Sequence, residues 1–362
     1  MSNQSTAAPV LRSGSGWDRL VSSAVAPGVW ATMLPFPSAL SYSYSYLVRV
    51  PAGVIVVDLG WDSDDAWNAF QVGLSRAGAT LDEVVGVVIS HAHPDHYGFA
   101  AAIKEHTPAW IGAHPAERRQ VAATAHERAA RVEEMEHWMR RCGVPESHLQ
   151  LLRREAAEIA ATLPAVQPDI DLADGTPVPD SDGALLPIHT PGHTAGHLCF
   201  HDRGRDLLFT GDHLLPRVTP NVSKRPRSDV DPLSDFQMSL ARVGAAARDT
   251  TLVLPGHEWA FDRADARVAT ILAHHADRLD EIEAAVTAES ETVWEVASAV
   301  SWARPFDQLA PRAQRQAIGE THSHLFRLAR EGRASAISGD LLRWRPSRSR
   351  SMLAEPSAAQ RV

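Results

Sequence analysis

The sequence predicts an α/β protein with a β-rich body and helices on its outside. Several short apolar runs, such as residues 84–89, are bounded by turn residues, as buried strands are. Longer stretches, such as residues 263–288, repeat apolar residues at helical spacing. Histidines and aspartates follow several of the apolar runs directly. The pattern therefore predicts a sheet scaffold that carries a polar site on its loops.

The bulk properties limit the class of protein. A chain of 362 residues suits one large domain with a smaller one, and 44% hydrophobic residues are ordinary for a soluble globular protein. The net charge of −9 argues against a general nucleic-acid binder, which usually has a basic face. We find no segment with the length of a membrane span and no signal-peptide pattern in residues 1–10. Cys142 and Cys199 lie far apart in sequence, which favours free thiols and a cytoplasmic protein.

The first part of the chain alternates predicted strands and helices. Residues 1–16 are rich in Ser, Gly and Ala and are predicted to be disordered. Residues 41–50 begin with alternating Ser and Tyr, which predicts a half-buried strand whose tyrosines share one face. We interpret that face as structural, since aromatic residues on strands usually pack. Further strands are predicted at 54–57 and 84–89, and helices at 62–77 and 95–104.

A helical pair is predicted over about residues 115–164. Its first helix runs to Arg141 and ends at Cys142-Gly143, and Pro145 opens the second. We interpret the pair as an insertion that lies over or beside the site, with simple scaffolding as the equal alternative.

The second part of the chain has short strands followed by helices. Thr292 and Glu295 form a capping box that opens one helix, and Gly332 closes the helix predicted over residues 311–331. Residues 343–362 are rich in Ser and Arg and are predicted to be a flexible tail. The strands are predicted at 185–189, 197–201, 206–210 and 251–254.

The most informative segment is His91-Ala92-His93-Pro94-Asp95-His96, which follows the strand at 84–89. It brings three imidazoles and a carboxylate to one loop, where side chains can converge on one point. Imidazole and carboxylate together suit zinc or another borderline divalent metal. The sequence therefore predicts a metal site at this end of the sheet.

This segment resembles the HxHxDH signature of the metallo-β-lactamase fold superfamily of metallohydrolases. Four further motifs match that family in order, and they contain Asp58, His193, Asp212 and His257. The similarity covers roughly residues 28–260. It implies an αββα sandwich as the catalytic domain.

The C-terminal third is similar to the helical, winged-helix-like appendage of the β-lactamase-like protein 2 group. Residues 292–297 and 319–325 carry this resemblance. It implies a catalytic domain over residues 17–262 and a helical, winged-helix-like domain over residues 263–342.

The resemblance implies a centre of two divalent cations, with zinc first and iron or manganese as alternatives. Asp212 would bridge both cations, and Asp95 would also hold a metal-bridging hydroxide for attack and accept its proton later. Asp58 and His197 would orient ligand histidines, although a structural role for His197 is the equal alternative. The first cation would be held by His91, His93 and His193, and the second by Asp95, His96 and His257.

Three aromatic residues follow the motifs in sequence. Trp61, Tyr97 and Trp259 are candidates for the substrate pocket, and packing beside the site is the alternative for each.

Three hypotheses of function compete. The resemblance favours hydrolysis of an ester, thioester or lactone, and the substrate would be a small molecule or a carrier-bound acyl group. It allows a homodimer, and we expect no association with a membrane. Asp212 stands where the best-known dizinc β-lactamases have a cysteine, which argues against lactamase activity. A nuclease or phosphodiesterase that acts on RNA is the second hypothesis, supported by the arginines between residues 343 and 350. A non-catalytic metal-binding module is the third, and the complete ligand set argues against it.

Overall fold

A computed structural model of the chain describes residues 22–37, 40–121, 124–162, 166–226, 228–248, 251–287, 291–337 and 339–347. Two sheets lie face to face, and helices cover the outer side of each, which confirms the αββα sandwich. The segment predicted to be disordered, residues 1–16, lies outside the described residues. Within the described residues, no helix is both long and apolar enough to cross a membrane.

The first sheet has seven strands, and neighbours in the sheet follow chain order. They are β1 (Ser22–Ala26), β2 (Val29–Pro35), β3 (Tyr42–Val50), β4 (Gly53–Val57), β5 (Val84–Val88), β6 (Trp110–Ala113) and β7 (Ile170–Asp171). The first four pair antiparallel, and β4 to β7 pair in parallel. Because parallel strands end at the same edge, the loops after β4 and β5 lie side by side.

Three helices cover the outer face of the first sheet: α1 (Asp64–Arg76), α2 (Pro94–Tyr97) and α3 (Ala100–His106). The single helix predicted from Asp95 to Lys104 is wrong, because the chain leaves helical geometry at Phe99, where ψ is 31°. Gly98 packs so tightly there that a Cβ atom would lie 2.4 Å from the carbonyl oxygen of Gly60. This close approach separates α2, which carries metal-ligand candidates, from α3.

The second sheet has four strands in the order β11-β10-β9-β8. They are β8 (Leu185–His189), β9 (Leu198–Asp202), β10 (Leu207–Gly211) and β11 (Leu252–Pro255), within a residue of the predicted strands. Its inner face packs against the first sheet through side chains such as Phe200 and Phe209. Its outer face is covered by α7 (Pro232–Ala246) and α8 (Ala264–Ala285).

The insertion forms three helices, α4 (Pro115–Val121), α5 (Ala125–Arg141) and α6 (Glu146–Thr162), so the predicted pair is wrong in its first member. The stretch predicted as one helix is divided, because Thr124 caps the start of α5 with a capping box. The C-terminal region adds α9 (Val293–Ala299), α10 (Pro311–Arg330) and a small sheet of β12 (Glu291–Thr292), β13 (Ala334–Ile337) and β14 (Arg343–Pro346). Trp138 and Leu152 of the insertion lie in one apolar core with Val296, Ile318 and Leu325 of the C-terminal region. The insertion and the C-terminal region therefore form one packed unit.

The flexible tail predicted over residues 343–362 is wrong for residues 343–346. Residues 343–346 form β14, which pairs with both β12 and β13, and Trp344 is buried. Pairing on both sides and an apolar anchor outweigh the Ser- and Arg-rich composition here. Arg343 and Arg345 therefore belong to a sheet, whereas Arg348 and Arg350 lie outside the described residues.

Candidate metal centre

The HxHxDH segment connects β5 to α2 at the edge where the parallel strands end. His91 and His93 lie in the connection, and Asp95 and His96 lie in the single turn of α2. Pro94 occupies the first turn of that helix, where its missing N–H costs nothing. The turn separates the four side chains into two groups, each of which faces a different point.

The remaining three candidate ligands come from the second sheet. His193 lies in the loop between β8 and β9, Asp212 directly follows β10, and His257 follows β11 by two residues. Since β10 and β11 are parallel neighbours, their ends bring Asp212 and His257 together. The loops at the ends of both sheets therefore meet over one site.

The seven side chains form two adjacent sets of donor atoms. In the first set, Nδ1 of His93 lies 2.8 Å from Nε2 of His91 and 3.1 Å from Nε2 of His193. In the second set, Nε2 of His257 lies 3.3 Å from both Nε2 of His96 and Oδ2 of Asp95. Within each set the donor atoms lie within 4.8 Å of one another, so each set could hold one metal ion.

Asp212 faces both sets with different oxygens. Its Oδ1 lies 3.3 Å from Nε2 of His257 and 3.5 Å from Nε2 of His96. Its Oδ2 lies 3.7 Å from Nε2 of His193. A carboxylate in this orientation can bind a cation on either side.

The outer nitrogens of three histidines decide which nitrogen faces the site. Nδ1 of His96 lies 2.9 Å from Oδ2 of Asp58. Nδ1 of His193 lies 2.8 Å from the carbonyl oxygen of Asn221, and Nδ1 of His257 lies 2.9 Å from that of Tyr42. Carbonyl and carboxylate oxygens only accept, so each Nδ1 carries the proton and donates. Nε2 is therefore the ring nitrogen that faces the site in each of the three histidines, as metal coordination requires.

The pKa values of the site histidines depend on burial and on the neighbouring carboxylates. Burial lowers the pKa of His91 well below its usual value. Burial, the neighbouring His193 and, to a smaller extent, the charge of Arg225 do the same to the pKa of His93. Burial alone would lower the pKa of His257, but the charge of Asp212 and hydrogen bonds to the carboxylates raise it to about 10. The buried carboxylates thus stabilise positive charge at the second set, and either protons on the histidines or a bound cation can supply that charge.

A family model of the metallo-beta-lactamase superfamily matches residues 39–257, which is more than half of the chain. The chain belongs to the metallo-beta-lactamase superfamily. The sequence resemblance is thereby confirmed. The matched region contains the strands from β3 to β11 and all seven candidate ligands, and only β1 and β2 of the two large sheets lie outside it.

Two relatives and one solved structure show what the chain is similar to. It is 32% identical to the hydroxyacylglutathione hydrolase of Rhizobium etli over 165 residues, which are 44% of this chain and 61% of that protein. It is 46% identical to the acyl-coenzyme A thioesterase MBLAC2 of Homo sapiens over 48 residues, 13% of this chain and 17% of that one. The metallo-beta-lactamase family protein TTHA1429 from Thermus thermophilus superposes with a TM-score of 0.71 and 26% identity, covering 89% of this chain and all of that one. The chain is a hydrolase of this superfamily.

Asp58 supports the site in this metallo-beta-lactamase fold from behind His96. It has a φ of 61°, and its Oδ1 accepts from the backbone N–H of Ser90 at 2.6 Å. Its Oδ2 accepts from the Ser90 hydroxyl at 2.7 Å and from Nδ1 of His96 at 2.9 Å. Asp58 therefore contacts a candidate ligand from the side away from the proposed cation.

His197 contacts the site differently from the prediction. Its Nε2 accepts from the backbone N–H of Asp212 at 3.2 Å, and its Nδ1 lies 2.8 Å from the hydroxyl of Thr190. Burial lowers the pKa of His197 well below its usual value, which keeps the ring neutral and able to accept. The ring therefore holds the backbone of Asp212 and does not orient a ligand histidine.

The three aromatic candidates for the substrate pocket have different surroundings. Trp61 is partly exposed and stacks on Phe36, whose ring lies 5.7 Å from that of His257. Trp259 is also partly exposed, and the guanidinium of Arg217 lies over its ring. Tyr97 is fully buried in the core outside the first sheet and donates to the carbonyl of Val166 at 3.0 Å. The pocket role of Tyr97 is therefore wrong, because the turn of α2 directs its ring into the core.

The tyrosine face of β3 holds the loop that carries His257. The hydroxyls of Tyr42 and Tyr44 donate to the carbonyl of Glu258, and the hydroxyl of Tyr46 donates to the carbonyl of Pro255. The opposite face is also buried, so the prediction of a half-buried strand is wrong. The structural interpretation of the tyrosines holds, and their packing fixes a candidate ligand.

Glu117 is the functional residue that the sequence did not reveal. It lies in α4, is buried, and accepts from the backbone N–H of Ala92 at 2.9 Å and that of Gly196 at 2.7 Å. One carboxylate thus joins the loop of His91 and His93 to the loop of His193. A glutamate in the first turn of a helix is too common a feature to signal this role.

Proposed function

We propose that the chain hydrolyses a thioester with the help of two divalent cations, zinc in the first place and iron or manganese as alternatives. The observation that carries this proposal is the convergence of seven buried or half-buried donor side chains in two sets joined by Asp212. Their geometry fits cations, because Nδ1 of three of the imidazoles is bound to an acceptor outside the site, which leaves Nε2 as the atom that faces a cation.

The residues assigned to each cation follow the two sets. His91, His93 and His193 would hold the first cation, and Asp95, His96 and His257 the second, with Asp212 between them. Five imidazoles and two carboxylates are a donor set that suits zinc. Cations bound there would polarise a carbonyl oxygen and lower the pKa of water toward about 7.

Asp95 is the group proposed to accept a proton during the reaction. Burial would raise the pKa of Asp95, but the charges of His96 and His257 outweigh it and keep this carboxylate ionised. The backbone carbonyl of Asp95 accepts from the Ser43 hydroxyl at 2.8 Å, which fixes its helical turn against β3. The carboxylate is therefore held at the site in the form that can accept a proton.

The thioester class rests on the relatives and on local charge. Hydroxyacylglutathione hydrolase and acyl-coenzyme A thioesterase are the names of two relatives, and both name thioester hydrolysis. Arg225 also adds positive charge near His93, which would suit an anionic group on the substrate. A carrier-bound form of the substrate, the homodimer and a cytoplasmic location stay predictions from the sequence.

The test combines metal analysis with a substrate panel. Protein purified without chelator should contain about two cations per chain. It should hydrolyse an acyl thioester faster than a lactone, a cephalosporin or a phosphodiester. His93→Ala should abolish turnover while far-UV circular dichroism and the melting temperature show a folded protein.

His126→Ala is the matched control, because His126 is an exposed histidine on α5. It should leave turnover unchanged. Hydrolysis of the phosphodiester alone would overturn the substrate class, and wild-type turnover in His93→Ala would overturn the proposed centre.

A further inference from the structure

Residues 221–224, which we call the anchor segment, connect the metal centre to the C-terminal region. The segment lies between β10 and α7. At its start, the carbonyl of Asn221 accepts from Nδ1 of His193 at 2.8 Å. The position of this carbonyl therefore sets both the tautomer and the ring orientation of His193.

The side chain of Asn221 binds to α10. Its Nδ2 donates to Oε2 of Glu320 at 3.1 Å and to the carbonyl of Gln316 at 3.3 Å. Its Oδ1 accepts from the Ser223 hydroxyl at 2.6 Å. All polar atoms of this amide are thus committed, and two of the three partners lie on α10.

Two further contacts hold the rest of the anchor segment on the same helix. The Ser323 hydroxyl donates to the carbonyl of Val222 at 2.7 Å, and the N–H of Lys224 donates to the carbonyl of Gly319 at 3.1 Å. A Cβ atom on Gly319 would lie 2.5 Å from the Ser223 hydroxyl, so a larger residue there would displace Ser223. The segment therefore follows α10 closely.

α10 itself is fixed by the core of the C-terminal unit. Ile318, Leu325 and Leu328 are fully buried in that core, which also contains residues of the insertion. Arg315 of α10 in addition pairs with Glu155 of α6 at 2.8 Å. The helix is thus held independently of the metal centre, and it can impose its position on the anchor segment.

We propose that α10 positions His193 through the anchor segment, with Asn221 and Glu320 as the positioning residues. The C-terminal region would then be part of the metal centre of this enzyme and not a separate module. This inference rests on the proposed function, because it requires His193 to bind the first cation.

Cation affinity is the property that separates this role from simple packing. His96 and His257 of the second set are oriented instead by Oδ2 of Asp58 and by the carbonyl of Tyr42, which lie on other parts of the chain. Loss of the Asn221–Glu320 bond should therefore weaken one of the two cations and leave the other unchanged. The expected loss is about 10- to 100-fold in affinity, as is usual for groups that orient a metal-binding histidine.

The experiment titrates metal-free full-length protein with Zn²⁺ against a chromophoric chelator, and with Co²⁺ followed by visible absorption. Asn221→Ala and Glu320→Ala should each show one tight and one weakened cation, with a changed Co²⁺ spectrum for the weakened one. Glu320→Gln keeps an oxygen that accepts from Asn221, so it should bind both cations like the wild type.

Thr321→Val is the matched control on the same helix. Thr321 is buried, and its hydroxyl has no hydrogen-bond partner among the described residues, so the isosteric change should alter neither cation. Unchanged affinity in Asn221→Ala and Glu320→Ala overturns the inference, and so does equal weakening of both cations or the same loss in Thr321→Val. A wild-type protein that binds no cation overturns the proposed function itself and this inference with it.

Discussion

At the scale of single residues, Asp58 shows how one carboxylate can organise a candidate ligand. It accepts from the backbone and hydroxyl of Ser90 and from Nδ1 of His96. Its φ of 61° lies in the left-handed region, which Asp and Asn tolerate better than most residues. Asn at this position would keep the backbone conformation but would lose one acceptor oxygen and the negative charge.

We therefore expect Asp58→Asn to weaken the second cation by about 10- to 100-fold without unfolding the protein. A zinc titration against a chelator measures this. The second cation should lose more affinity than the first, because Asp58 binds His96 directly but reaches His91 only through the Ser90 hydroxyl. Asp182→Asn is the control, since Asp182 is exposed and has a similar φ of 52°. Equal zinc affinity in wild type and Asp58→Asn would contradict the role of Asp58.

Sequence reasoning at this scale worked where chemistry is local and failed where it is not. The donors of the HxHxDH segment share one loop, so their types and spacing carry the information. Glu117 accepts from the N–H groups of Ala92 and Gly196, which lie 25 and 79 residues away. Nothing near Glu117 in sequence indicates those partners. Tyr97 was misplaced because one helical turn decides whether an aromatic side chain faces the site or the core.

At the scale of elements, α4 joins the two ligand loops through Glu117. Each of its carboxylate oxygens accepts one backbone N–H, at 2.7 and 2.9 Å. In Glu117→Gln only one oxygen remains, and the amide NH₂ group would face an N–H donor. We expect this change to lower the free energy of unfolding by about 1–3 kcal/mol, as for a buried hydrogen bond left unmade.

Urea unfolding of metal-free protein at neutral pH measures this difference. Glu133→Gln is the matched control, because Glu133 is exposed on α5, and it should change stability by less than about 0.5 kcal/mol. A Glu117→Gln protein as stable as this control would show that the carboxylate does not hold the two loops together.

Predictions of elements succeeded where the signal lies within the element itself. The capping box of Thr292 and Glu295 is confirmed, with the Thr292 side chain accepting from the N–H of Glu295 at 3.2 Å. The alternation of Ser and Tyr correctly predicted β3, but not that both of its faces are buried. Burial depends on what packs against the strand, and Glu258 and Asp95 reach it from 214 and 52 residues away.

At the scale of the whole molecule, the sequence predicted helices in the insertion and in the C-terminal region. It did not predict that these helices pack together in one core. Helical spacing shows which face of α5, α6 or α10 is apolar, and it does not show which element covers that face. Trp138 of α5 donates to Nδ1 of His322 of α10, 184 residues away, and both lie in the shared core. Contacts at that separation leave no local trace in sequence.

The shared core also makes stability depend on pH through buried histidines. Burial lowers the pKa of His275 to about 3, of His322 to about 3 and of His324 to about 4. Their pKa in the unfolded chain is near 6.5, so the unfolded state takes up protons first as the pH falls. The stability that depends on these histidines being neutral is fully present above about pH 6.5, and it decreases steadily as the pH falls toward 4 to 3. Each neutral histidine should cost about 2 kcal/mol of stability between pH 7 and pH 5.

His322→Gln tests this link, because its side-chain oxygen can still accept from Trp138 but does not titrate. Urea unfolding in the presence of chelator measures the free energy of unfolding at pH 7 and at pH 5. The decrease from pH 7 to pH 5 should be about 2 kcal/mol smaller in His322→Gln than in the wild type. The titratable groups of the metal centre are the same in both proteins, so the difference isolates His322. His126→Gln, an exposed histidine replaced in the same way, should lose as much stability as the wild type. If His322→Gln also loses as much as the wild type, His322 is not held neutral in the folded state.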